Sequence, residues 1–230
     1  MAPVTTLPLQ PTPRTTVVRG RHRAVEERAA LHALLAEALV AHVGVVVGDH
    51  AVVLPSAFGV DPDGPDEGGT LYLHGSVAAR WLTAAVGATV CVTVTELDGL
   101  VAARSGFHHS MNYRSGVVIG VAREVLDPDE RARALDLVVD QMVPGRSATL
   151  RPPTRKELAA TAVLAVPLVE ASLKVRSGDP VDDEADVEGG LWAGVVPVRR
   201  VLDAPLTAAD AGGVPVPPDV RARAAGERPQ

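Results

Sequence analysis

Residues 108–120, HHSMNYRSGVVIG, crowd two histidines, Asn112, Tyr113, Arg114 and Ser115 at the mouth of an apolar, β-like run. Polar groups gathered there need a partner: a ligand, another subunit or water. A second stretch, TLYLHGSVAARWL (70–82), has the same character. Its pattern predicts a strand over 70–74 ending in His74-Gly75-Ser76, then a helix over 76–86 carrying Arg80. Gly75 would let a ligand approach the backbone closely. Ser76 at the helix N-cap would sit where unpaired N–H groups and the helix dipole favour an anion. Arg80 follows one turn later on the same face. Together they suit a phosphorylated cofactor, although an ordinary cap and a solvated arginine would share this spacing.

Other groups extend the candidate set. Ser56 ends the strand VVLPS, with Pro55 placing it at an edge or bulge. Thr93 and Thr95 alternate with Val92 and Val94, giving one polar strand face that is either a ligand platform or plain solvated sheet. Arg104 and Ser105 close the next apolar run. Arg114 reads as a phosphate or cross-subunit contact, or as a structural ion pair to Glu96 or Asp98. Tyr113 and Ser115 share the opposite face from Asn112 and Arg114, and Tyr113 also reads as an aromatic core plug. His108 and His109, adjacent in a strand, would point to opposite faces, so no metal site is expected from them. Trp192 opens the last strand, as a site residue or as an anchor. Arg19, Arg21, His22 and Arg23 form either an anionic clamp or surface charge. No catalytic residue can be assigned, because no nucleophile–base–acid set assembles. Cys91 reads as an inert core residue.

The whole chain narrows the function classes. Its 230 residues fit one large domain or one domain plus a tail. Hydrophobic residues make up 47% and aromatics only 3%, so the core must be Val, Leu and Ala. A net charge of −6 argues against nucleic acid as a partner. One cysteine excludes an internal disulfide framework. No leader-like h-region and no run of about 18 apolar residues appears, so neither export nor a membrane span is expected, and the reading is cytoplasmic. Lysine occurs only at 156 and 174 among the 22 basic residues, so an arginine here carries little information by itself.

The elements that must position these groups follow from periodicity. Residues 1–18 are Pro/Thr-rich and are expected to be flexible. The domain proper is expected over 19–202, and a flexible tail over 203–230. A helix is predicted over about 25–40, and a hairpin over 42–58 about Gly48-Asp49. A polar loop is predicted over 59–69. A strand over 89–97 should turn at Asp98-Gly99 into 100–105, and a long strand should follow from 113 to 125. Asp127 and Pro128 start a helix running to Met142, striped by Leu135, Val138, Val139 and Met142. Thr154 and Glu157 form a capping box. A strand over 163–177 carries Pro167, and a last strand covers 191–201. About seven strands and four helices, linked mostly as hairpins, imply an α+β fold that is mainly β: an antiparallel barrel or sheet with peripheral helices.

The order of these motifs resembles the flavin-binding split β-barrel proteins, the pyridoxamine 5′-phosphate oxidase-like superfamily. It is most similar to the branch of 5-nitroimidazole-resistance reductases and flavin-nucleotide-binding proteins. The features run from Arg19 to about Val198: RGRHRA (19–24), VVLPSAF (52–58), LYLHGSVAARWL (71–82), VCVTVTELDGLVAARS (90–105), HSMNYRSGVVIG (109–120), GR (145–146) with RPPT (151–154), and SLKVRSGDP (172–180) with LWAGVVP (191–197). The resemblance implies an FMN-binding split barrel, a homodimer with the cofactor at the interface, and FMN contacts from the candidates above. It implies an FMN-dependent oxidoreductase acting on a small molecule such as a nitro-aromatic or quinone, with reduced nicotinamide or a deazaflavin as hydride source. The competing expectation is a flavin- or haem-binding sensor or store without turnover. A related lineage handles haem, and His108 or His109 would then be the axial ligand.

Overall fold

A computed structural model describes residues 8–226. In chain order the elements are β1 (Ala24–Val25), α1 (Arg28–Glu37), β2 (Ala41–Val47), β3 (His50–Ser56), β4 (Phe58–Asp61), β5 (Thr70–Ser76), α2 (Arg80–Ala85), β6 (Thr89–Ala102), β7 (Ser110–Val121) and β8 (Arg123–Glu124). They continue with α3 (Pro128–Met142), α4 (Arg155–Ala160), β9 (Thr161–Pro167), β10 (Ala171–Arg176), α5 (Glu184–Glu188), β11 (Gly194–Pro197) and α6 (Pro218–Ala224). One sheet has the order β1-β10-β7-β6-β2-β3, with β11 also paired to β6. The other has the order β4-β5-β9-β8. Every ladder between these strands is antiparallel. The two sheets enclose one Val/Leu/Ala core, a split barrel as expected. Helix α1 buries Leu31, Leu34 and Leu35 in it.

Alternation explains the layers. Strand β6 turns Val90, Val92 and Val94 inward and leaves Thr89, Thr93 and Thr95 on the other face. Strand β5 is buried on both faces. Leu71 and Leu73 belong to the barrel core, whereas Tyr72 packs with Val125, Ala134, Val163 and Ala165 beneath α3. Asp127 caps α3 through bonds from the N–H groups of Asp129 and Glu130, with Pro128 in the first turn. Thr154 and Glu157 form the capping box of α4.

Several expected boundaries are displaced. Strand β6 does not turn at Asp98-Gly99: Leu97 pairs with Tyr113 and Gly99 with Asn112, so Asp98 is a bulge inside one long strand. The loop expected over 59–69 begins with strand β4. Pro167 ends β9, so the run 163–177 divides into β9 and β10 rather than forming one edge strand. Strand β5 extends through Ser76, and helix α2 begins only at Arg80. Over its described residues the N-terminal segment lies against the domain. Leu9 is only 6% exposed and donates its N–H to Glu26 O at 2.7 Å, and Thr12 and Arg14 both bind Glu170. The C-terminal segment carries α6, joined to Arg146 through Asp219 at 3.3 Å. Residues 1–7 and 227–230 of these segments lie outside the described residues.

Helix α3 reaches its seat because β4 offers no side chain where it crosses. A Cβ on Gly59 would lie 2.8 Å from Val138 N and 2.9 Å from Leu137 C, both helix backbone. Neither atom can swing aside as a side chain would. Gly59→Ala is therefore expected to lower stability by about 1–3 kcal/mol, the usual range for overpacking. Urea unfolding followed by circular dichroism measures it, and an unchanged midpoint would show that α3 does not seat on β4 in this way.

Candidate functional site

The motif His74-Gly75-Ser76 does not form one cradle, because alternation along β5 sends its members to different places. Gly75 faces α2: a Cβ there would meet Leu82 Cδ1 at 2.7 Å, so the close neighbour is a core leucine and not a ligand. Ser76 does not cap a helix. Its Oγ accepts from Ala78 N at 3.2 Å, and Ala79 is the N-cap of α2. Arg80 is exposed at the first turn of this six-residue helix. The phosphate cradle expected at these residues is not assembled.

His74 points the other way, beneath α3. There it lines a cavity of about 750 Å³ with Leu135, Val138, Val139, Met142, Leu150, Pro152, Pro153 and Leu158. Its Nδ1 is buried and has no hydrogen-bond partner. Burial lowers its pKa, so the neutral imidazole is favoured. The cavity has a fixed frame. Arg131 of α3 donates to Leu158 O and Thr161 O, tying α3 to α4 and β9. Ser147 binds Asp140 through its N–H and its hydroxyl, both at 2.8 Å. At the rim Arg151 forms a fork with Glu157, and hydrogen bonds from Arg151, then Thr154, pull that carboxyl down to about 2. Tyr72, next to His74 on the same face, donates to Glu130 at 3.1 Å. Burial and then the Glu130 charge push its hydroxyl up to about 12.

The second region is the outer face of the larger sheet. Register puts Pro55, His42, Thr93, Val117 and Ser172 in one row across five strands, and Thr95, Ser115, Lys174 and Ala24 in the adjoining row. Thr95 and Ser115 hydroxyls meet at 3.1 Å. Cys91 belongs to this face, half-exposed opposite Ile119, and is not the core residue expected. Val46, Val53, Leu97 and Val121 on the same face are 61%, 65%, 39% and 54% exposed. At the edge a groove of about 340 Å³ is lined by Arg21, Thr15, Thr16, Ser172 and Leu173, so one member of the expected N-terminal clamp reaches a cavity.

The other expected site residues scatter. Arg114 is an ion-pair residue: Nε and Nη2 donate to Asp98 at 3.0 and 2.9 Å, and both terminal nitrogens donate to Glu37. Hydrogen bonds donated to Glu37, then to Asp98, hold its pKa above the usual range. Its phosphate role is thus replaced by the structural alternative, with Asp98 as foreseen; Glu96 instead pairs with Arg200. Arg104 grips Asp182 through its backbone N–H and Nη1, both at 2.9 Å. Ser56 donates to Ala57 O at 2.8 Å and faces the inner side of β3. Tyr113 lies on the outer face, half-buried opposite Leu97 and Arg176, rather than plugging the core. Trp192 precedes β11 and is 70% exposed, with its indole laid against Gly194. His108 and His109 sit in the turn before β7, not within it. His109 Nδ1 lies 2.8 Å from Ser105 O. Neither lines the His74 cavity or the Arg21 groove.

A family model described as pyridoxamine 5′-phosphate oxidase matches residues 17–175. The flavocytochrome Anf3 from Azotobacter vinelandii is 36% identical over 97% of this chain and all of its own, with a TM-score of 0.84. The FAD and heme binding protein from Mycobacterium smegmatis is 42% identical over 86% of this chain and 96% of its own, with a TM-score of 0.79. A Bacteroides thetaiotaomicron structure described in terms of 5-nitroimidazole antibiotic resistance is 21% identical. It covers 66% of this chain and 86% of its own at a TM-score of 0.54, a likeness of fold alone. Among curated protein sequences no significant match is found.

Burial of His74 makes stability depend on pH. Its folded-state pKa lies below the unfolded value near 6.5, so the unfolded chain takes up the proton first as pH falls. Its contribution is complete above that value and is lost as pH drops through the folded-state pKa. His32, lowered by burial and then by the Arg28 charge, adds a loss of the same sign. We expect His74→Leu to lose less stability than the parent between pH 7.5 and 5.0, measured as urea midpoints. Equal losses in both proteins would mean that His74 titrates as in solution.

Proposed function

The chain belongs to the pyridoxamine 5′-phosphate oxidase family, and from that membership we propose that it is a flavin- and haem-binding redox protein acting as a homodimer. The observation that carries this reading is His74, an imidazole that burial favours in its neutral form and that lines a mainly apolar cavity. Haem fits there on three counts. The volume of about 750 Å³ is within the ordinary range for cofactor sites, the walls are mainly leucine, valine, methionine and proline, with Asp136, Ser147, Arg151, Glu157 and Thr161 as the polar part, and a neutral imidazole is the form that ligates iron. Haem so held supplies one-electron exchange and a place for a small ligand. The protein's part would be to hold: His74 would bind the iron, Leu135, Val139 and Leu158 would exclude water, and Arg151 at the rim, which already holds Glu157, would be the cation nearest the haem carboxylates. Arg131 keeps α3 and α4 together around it.

For the flavin, the outer sheet face offers Thr93, Thr95, Ser115 and Lys174 beneath a planar ring. Arg21, Thr15, Thr16 and Ser172 at the edge groove offer a cation and hydroxyls for phosphate. The Mycobacterium smegmatis relative's description supports FAD ahead of FMN. A second copy of the chain would cover Val46, Val53, Leu97 and Val121, and the flavin would lie between the copies. Turnover of a nitro-aromatic or quinone has weaker support, since the relative so described shares only the fold. We therefore favour electron exchange between two bound cofactors.

Titration of cofactor-free protein with haemin tests the reading. One Soret-absorbing equivalent per chain is expected. Loss of the iron ligand in His74→Ala should weaken binding more than the ~10–100-fold typical of an outer-shell change, while His109→Ala should leave it intact. The same Soret spectrum and affinity in His74→Ala would overturn the haem assignment. Separately, Arg21→Ala should weaken FAD binding, followed by flavin absorbance near ~450 nm, with sedimentation velocity reporting the dimer.

A further inference from the structure

We infer that the protein also holds a divalent metal ion of the zinc class between His108, Asp183 and Asp186, fastening the acidic segment 178–190 to the β6–β7 turn. One imidazole nitrogen and one oxygen from each carboxylate lie within 4.8 Å of one another. His108 Nε2 is 3.4 Å from Asp183 Oδ2. Zinc bonds of about 2.0–2.2 Å set neighbouring donors roughly 3–4 Å apart, so the three donors need only a small inward movement.

One further observation points to a ligand at this place, and two show that the donors are held in position. His108 Nε2 is fully buried and makes no hydrogen bond, although the side chain as a whole keeps 21% exposure. Its one polar neighbour is the Asp183 carboxylate at 3.4 Å, too long to be a good hydrogen bond, and a metal ion between the two would satisfy both. The ring is also oriented: Phe107 packs edge-on against it, with centroids 5.1 Å apart and planes at 87°. Finally, the carboxylates are delivered by a segment that is anchored independently. Asp183 is the N-cap of α5, and Asp186 stands three residues on, its N–H bonded to Asp183 O at 3.0 Å, so both fall on one face. Asp182, immediately before, is held by Arg104 with its own side chain 1% exposed. The turn and the segment are therefore joined without the ion, and the site is pre-formed.

The donor set selects the class of metal. One imidazole and two carboxylates suit zinc and similar first-row ions, whereas calcium and magnesium prefer oxygen alone. Asp183 is 81% exposed, which leaves room for water as a further ligand. Two carboxylates brought together also repel, in a chain already at net charge −6, and a cation offsets this. None of the three residues lines the His74 cavity or the Arg21 groove, so the ion would be structural. It would hold the approach to Trp192 and β11.

The test uses the full chain, stripped with a chelator and equilibrated with zinc chloride beside excess magnesium chloride, with retained metal measured by elemental analysis. One zinc per chain is expected, with slower proteolysis inside 178–190. His108→Ala and Asp186→Asn should each lower zinc affinity at least tenfold without changing metal-free unfolding. Should His108→Ala fold poorly, Asp183→Asn at the exposed position gives the same readout. No zinc retained, or equal retention in the parent and these variants, would overturn the inference.

Discussion

Strand β5 is buried on both faces, and that double burial governs where its chemical groups can point. Leu71, Leu73 and Gly75 must serve the barrel core, and Tyr72 and His74 must serve the layer beneath α3. A pleated strand leaves no third choice. The cavity exists because α3 and α4 stand off β5 at His74, after closing over Tyr72. The contacts that keep them there are a glycine at the β4 crossing and an arginine bonded to two carbonyls. The imidazole is thereby presented neutral, in an apolar wall, with hydrogen-bonding capacity to spare.

The arginines show a second constraint. Arg114, Arg104 and Arg123 each meet carboxylates delivered by other elements. Arg114 draws Glu37 from the end of α1 and Asp98 from the β6 bulge, and Arg123 joins Asp66 to Glu130. These pairs sit at junctions between layers, where a charged group is part-buried and needs compensation. Two of the arginines that read as site residues in the sequence, Arg104 and Arg114, are accounted for in this way. The outer sheet face, by contrast, keeps hydroxyls, a lysine and exposed valines uncovered within one chain.

Much of the fold was legible because it rests on local rules. Alternation in TVCVTVTEL, the Gly48 hairpin, the Asp127–Pro128 start of α3 and the Thr154–Glu157 box all appear as read. Two of the misreadings share one cause. Asp98-Gly99 looks like a turn, yet β7 and β11 continue the ladder past it, and Gly99 has no side chain to obstruct Val195. Ser76 looks like a cap, but pairing with Thr161 extends β5 through it. In both places tertiary hydrogen bonding outweighed a local preference.

The sequence by itself determined the fold class, the composition of the core, the alternation of β6 and the starts of α3 and α4, since these depend on neighbours within a few residues. It also placed His74 among the candidates, but for phosphate. Only the tertiary structure decided which partners the polar groups find. His108 meets Asp183 and Asp186 across about 75 residues of chain, Arg114 meets Glu37, and His74 meets a wall built from α3 and α4. Such meetings depend on how the layers close, and nothing in the local spacing encodes them.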